Sequence, residues 1–121
     1  MRRWLPLLEI LFLPWSVQAE YWDNIDSYDV NLIIQRDGSV DVTEVITYDF
    51  GTVAEAHGIE RFVPTQYTNG WFNDNIDLDL HSVTDALGQE WPVDTNHSGS
   101  NTVWRIGSAA TTVSGEQTYA I

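Results

Sequence analysis

Two alternating runs separated by a tight turn dominate the first half of the chain. In Tyr28-Asp29-Val30-Asn31-Leu32-Ile33-Ile34, the side chains of Tyr28, Val30, Leu32 and Ile34 fall on one face of an extended strand and Asp29 and Asn31 on the other. That spacing predicts a half-buried strand beginning near Ile25. After Arg36-Asp37-Gly38-Ser39 the alternation resumes, with Val40, Val42, Ile46, Tyr48 and Phe50 set against Asp41, Thr43, Thr47 and Asp49. Asp-Gly supplies the positive φ of a tight hairpin turn, so the two runs are expected to pair. Glu44 breaks the pattern, because it shares the parity of the apolar residues. Two readings are open: a bulge or strand end that lets the carboxylate reach water, or a pairing with Arg61.

The pattern continues more sparsely. Gly51-Thr52 ends the second run, and Val53-Ala54-Glu55-Ala56 is too short for an independent helix. Ile59 to Val63 reads as a short strand stopped by Pro64, which has no amide hydrogen to give to a ladder. Thr65 to Asn75 reads as a long loop that carries Asn69-Gly70 and the pair Trp71-Phe72. Ile76, Leu78 and Leu80 alternate with Asp77, Asp79 and His81, which predicts a strand, with a bulge near Ser82 where the parity shifts. Asp85 to Gln89 is a turn, Asn96 to Asn101 a polar loop, Thr102 to Gly107 a strand, and Thr118 to Ile121 the start of a last strand. Short strands at regular spacing with no amphipathic helix between them predict an all-β domain. An antiparallel β-sandwich of immunoglobulin-like topology is the expected architecture.

Composition narrows the setting. A chain of 121 residues, 43% hydrophobic, holds one domain with one core. Residues 1–19 have the layout of a secretory leader: Arg2 and Arg3, an apolar stretch from Trp4 to Val17, and a Val17-Gln18-Ala19 cleavage site. Residues 20–121 then form the exported domain, expected to be truncated at its C-terminal edge because the last strand is unfinished. Removing the leader leaves three basic against seventeen acidic residues, a net charge of −14, and no lysine at all. Such a surface has nothing with which to neutralise phosphates, which excludes nucleic acid and attraction to anionic lipid. With no cysteine, thiolate catalysis, cysteine zinc sites and disulfides are excluded as well.

The order of several segments carries a resemblance. Ile25-Asp26-Ser27-Tyr28-Asp29-Val30 comes first, then Asp37-Gly38-Ser39-Val40-Asp41-Val42-Thr43-Glu44. His57-Gly58-Ile59-Glu60-Arg61-Phe62-Val63-Pro64, Arg105-Ile106-Gly107 and Thr118-Tyr119 follow. With these the chain resembles, from about Ile25 to Ile121, the N-terminal part of the YciQ-like family of predicted membrane proteins (domain of unknown function 2207). The resemblance implies an exported β-rich domain, on the extracytoplasmic face of the cell membrane, followed by transmembrane helices that this sequence does not contain. It implies no chemistry.

The residues offer little catalytic material. His57, His81 and His97 lack metal-ligand spacing, and the aspartates at 74, 77 and 79 or at 23, 26 and 29 do not follow a calcium loop, so no metal or cofactor is expected. Arg61, with His57 and Glu60 beside it, is either the cation of a binding site or one half of an ion pair with Glu44. Trp91 and Trp104 belong to the core by their strand positions, which leaves Trp71 and Phe72 as candidate contacts. The expectation is therefore a non-catalytic extracytoplasmic sensor or interaction domain. Its membrane anchor lies outside this chain, and it meets a protein or envelope partner through the Asn69 to Asn75 loop or a free sheet edge. The alternatives are an exported hydrolase of cell-envelope glycans with Glu44, Glu60 and Arg61 in its site, and a calcium-stabilised structural module.

Overall fold

The computed structural model describes residues 23–52 and 55–121, and the expected leader at 1–19 lies outside them. The fold is an antiparallel β-sandwich. One sheet holds β1 (Asn24–Ile34), β2 (Val40–Asp49) and β8 (Glu116–Ala120) in the order β1-β2-β8. The other holds β3 (Gly58–Pro64), β6 (Val93–Ser98) and β7 (Asn101–Gly107) in the order β3-β7-β6. β8, the strand beside β2, follows the β6–β7 hairpin in the chain.

Pairing residues directly across a ladder share a face, so the register defines the interior. Ile46 lies opposite Tyr119, and Ile106 lies between Ile59 and Val93. These inner faces meet in a core of Ile46, Phe50, Val83, Trp104, Ile106 and Tyr119. Trp91 stacks on Tyr119 with ring centroids 4.9 Å apart, while its indole N–H donates to the Thr118 carbonyl at 3.0 Å. Stacking and hydrogen bond together fix the ring at the margin of the core.

The hairpin β1–β2 turns as the sequence predicts. Gly38 has φ 90°, and the Ser39 amide and hydroxyl donate to Asp37 Oδ1 at 2.9 and 2.6 Å. Its burial differs from the expectation, because β1 is exposed along its whole length rather than half-buried. β8 pairs with β2 from Val45 to Asp49, and Glu44 exchanges backbone hydrogen bonds with Ile121 at 3.0 and 2.8 Å. The distal half of the hairpin overhangs the core.

Three further expectations are corrected. Thr65 to Asn75 is not a plain loop: β4 (Gln66–Asn69) and β5 (Phe72–Asn75) pair antiparallel about the two-residue turn Gly70-Trp71, with Gly70 at φ 61°. A glycine at the first turn position with positive φ is what a two-residue hairpin loop accepts. Asn96 to Asn101 is likewise a hairpin, because β6 runs to Ser98 and β7 starts at Asn101. Conversely, Ile76 to Val83 forms no strand, so the bulge expected near Ser82 has no ladder to interrupt; the segment finds isolated rungs, Ile76 to Thr65, Val83 to Trp91, and Thr84 to Glu90 and Ala120. Its alternation reflects which side chains touch the core. Val83 is buried there and Leu80 half-buried, but no neighbouring strand takes up the backbone.

Candidate interaction site

Glu44 and Arg61 meet between the two sheets. Glu44 sits on the inner face of β2 because it shares parity with Ile46, and Arg61 sits on the inner face of β3 because it pairs with Trp104. Arg61 Nε donates to Glu44 Oε2 at 2.8 Å and Arg61 Nη2 to Oε1 at 2.7 Å, a two-point contact matched to the planar guanidinium. The side chains are 27% and 12% exposed for Arg61 and Glu44, so the pair closes the rim of the core. The guanidinium holds the Glu44 carboxyl below the usual glutamate range, against the opposing effect of burial, and the Tyr28 hydroxyl adds to the lowering. Arg61 is pushed up in turn by the same carboxylate.

The other candidate residues do not join this pair. His57 precedes β3, and its Nδ1 is 2.9 Å from the Thr111 carbonyl oxygen, at the end of the strand away from Pro64. Arg61 lies four positions further along, about 13 Å of extended chain. Trp71 and Phe72 occupy the tip of the β4–β5 hairpin. Glu60 points outward on β3, where Arg105 Nη2 and Nε donate to its Oε1 at 2.9 and 3.0 Å. Glu44 and Glu60 are thus engaged on opposite faces of the β3 sheet, each by its own arginine. Among the described residues no group of three or more His, Asp or Glu side chains could hold a metal ion.

What the sandwich does present is apolar surface outside the core. Val30 faces Glu44 across the β1–β2 ladder, Leu32 faces Val42 and Ile34 faces Val40, so the inner face continues past the ion pair into solvent. All five of the apolar side chains are exposed, Ile34 to 78%. Along the same stretch, Val40 to Thr43 has β1 on one side and no strand on the other among the described residues. The alternating pattern marks these residues as apolar. It carries no sign of whether they are buried or exposed, because that depends on what packs on them.

No curated protein and no solved structure matches the chain. Among the described residues no helix is long and apolar enough to cross a membrane. Residues 24–121 match the family described as "Predicted membrane protein (DUF2207) N-terminal domain", which spans every strand of the sandwich and the Glu44–Arg61 pair. The chain belongs to that family.

Proposed function

We propose that the chain is a non-catalytic extracytoplasmic interaction domain of a membrane-anchored protein, and that it docks a protein partner on the overhanging half of the β1–β2 hairpin. The observation that carries this reading is the exposed strip of Val30, Leu32, Ile34, Val40 and Val42 on the inner face of the hairpin. An extended partner segment laid along it buries its alternate side chains against this apolar strip. The two glutamates offered for glycan hydrolysis support a structural role instead. They do not converge, and Glu44 is held ionised, whereas a general acid needs a raised pKa.

The test places a photocrosslinking residue at Leu32 or Ile34 of the full-length membrane protein in intact cells, with Asp94 as the control position. The expected result is an adduct to a second protein from Leu32 and Ile34 and none from Asp94. An adduct within the protein's own chain, or none, would overturn the docking reading. Added protease that cleaves the domain only after the membrane is permeabilised would overturn the extracytoplasmic one.

A further inference from the structure

We propose that the tip of the β4–β5 hairpin is a lipid-contacting wedge, in which Trp71 and Phe72 seat in the headgroup layer of an electrically neutral bilayer. The proposal takes only the membrane anchor from the function above and concerns a different surface.

Trp71 is 98% exposed and Phe72 72%. The two-residue turn holds them there, since Gly70 and Trp71 occupy the loop positions and Phe72 closes the ladder opposite Asn69. Leaving an indole and a phenyl ring in water is unfavourable, and the membrane–water interface is where amphipathic aromatic rings concentrate. Tyr67, exposed lower on the stem, adds a third such ring.

Charge selects the kind of surface. The chain carries 18 acidic residues, yet Gln66 to Asn75 contains a single acid, Asp74, and no base. The tip therefore brings little charge to be desolvated at a neutral layer, while the net charge of −13 opposes an anionic one.

Size and shape favour lipid over protein or glycan. Two aromatic side chains bury about 150–250 Å² each, well short of the roughly 1,200 Å² of a stable protein interface. Two surface depressions, one lined by residues such as Phe62, Asn96 and Arg105 and the other by Thr52, Glu55 and Thr112, include neither Trp71 nor Phe72 in their walls. A headgroup layer requires no pocket. A contact too weak to hold a free domain becomes effective when an anchor keeps the domain at the membrane.

The experiment mixes the chain with phosphatidylcholine vesicles whose acyl chains are brominated, a collisional quencher of tryptophan, and repeats the titration with W71F. Trp4, Trp15, Trp22, Trp91 and Trp104 are common to both chains, so the difference in emission reports Trp71 alone. The expected result is a quenched component that W71F lacks, and that weakens when phosphatidylglycerol replaces half of the phosphatidylcholine. Equal quenching in the two chains would overturn the proposal, as would stronger Trp71 quenching on the anionic vesicles. A Trp71 response to soluble envelope oligosaccharide with none to vesicles would overturn it in favour of a glycan. A missing Leu32 adduct leaves this difference intact, and a missing difference leaves the adduct intact, so the two readings fail separately.

Discussion

Gly58 and Gly107 face each other across the β3–β7 ladder, and each backbone lies so close to the other strand that neither position has room for a side chain. A Cβ on Gly58 would overlap the Ile106 carbonyl, and one on Gly107 would overlap the His57 carbonyl. Both residues also have positive φ, 148° and 127°. This contact pins the start of β3 to the end of β7, and so holds Ile59 against Ile106 in the core.

Gly58→Ala and Gly107→Ala are each expected to destabilise the chain by roughly 2–5 kcal/mol, backbone strain and overlap acting together. Gly88→Ala is the control: Gly88 also has positive φ, 79°, but a Cβ there meets open space, so only the conformational part of the loss remains. Chemical denaturation of the three variants checks the ordering.

Removing one partner of the inter-sheet ion pair leaves the other half-buried and unpaired. Arg61→Ala and Glu44→Ala should each cost about 1–3 kcal/mol, and the double replacement E44L/R61M less than the sum of the two single losses. A double-mutant cycle on denaturation midpoints measures the difference.

The same pair sets an acid limit. Because the native Glu44 pKa is depressed, its stabilising contribution is complete above the unfolded value, about 4.3. It is lost as pH falls through the native value. The thermal midpoint of the wild type should therefore drop more steeply below about pH 4.3 than that of Glu44→Gln, with the two curves converging at the acid end.

Tyr119 is fully buried, and its hydroxyl has no hydrogen-bond partner among the described residues. Burial pushes its pKa up to about 12. The native state therefore holds this proton more tightly than the unfolded chain does. Stability is intact below about pH 10 and declines as pH rises from there towards 12. Tyr119→Phe removes the unsatisfied group, with an expected gain of about 0.5–1.5 kcal/mol at neutral pH and a shallower alkaline decline. Thermal melts across pH 7 to 11 read both effects.

Calcium should leave the thermal midpoint unmoved. A bound ion at a hundredfold excess over its Kd would stabilise by about 2.7 kcal/mol, a shift easily seen in a melt. Equal midpoints in millimolar calcium and in chelator are the expected outcome, and an increase would revive the structural-module reading.

The sequence by itself determined what depends on neighbours along the chain. Alternation placed β1 and β2, Asp37-Gly38 placed the turn between them, and the parity of Glu44 marked a carboxylate on an apolar face. Polar strands escaped this reading. The sequences of β4, Gln66 to Asn69, and β5, Phe72 to Asn75, carry no alternation of apolar with polar residues, and their pairing is set by a two-residue turn rather than by burial. The opposite failure occurred at Ile76 to Leu80, where alternation was present and no neighbouring strand was. Only the tertiary structure decided that Arg61 reaches Glu44, since their meeting requires β2 and β3 to face each other from separate sheets. Only it decided that the strip from Val30 to Val42 lies in solvent, because an apolar face is buried or exposed by what packs on it. Periodicity reports the face of a strand, whereas burial and partners are properties of the assembled sandwich.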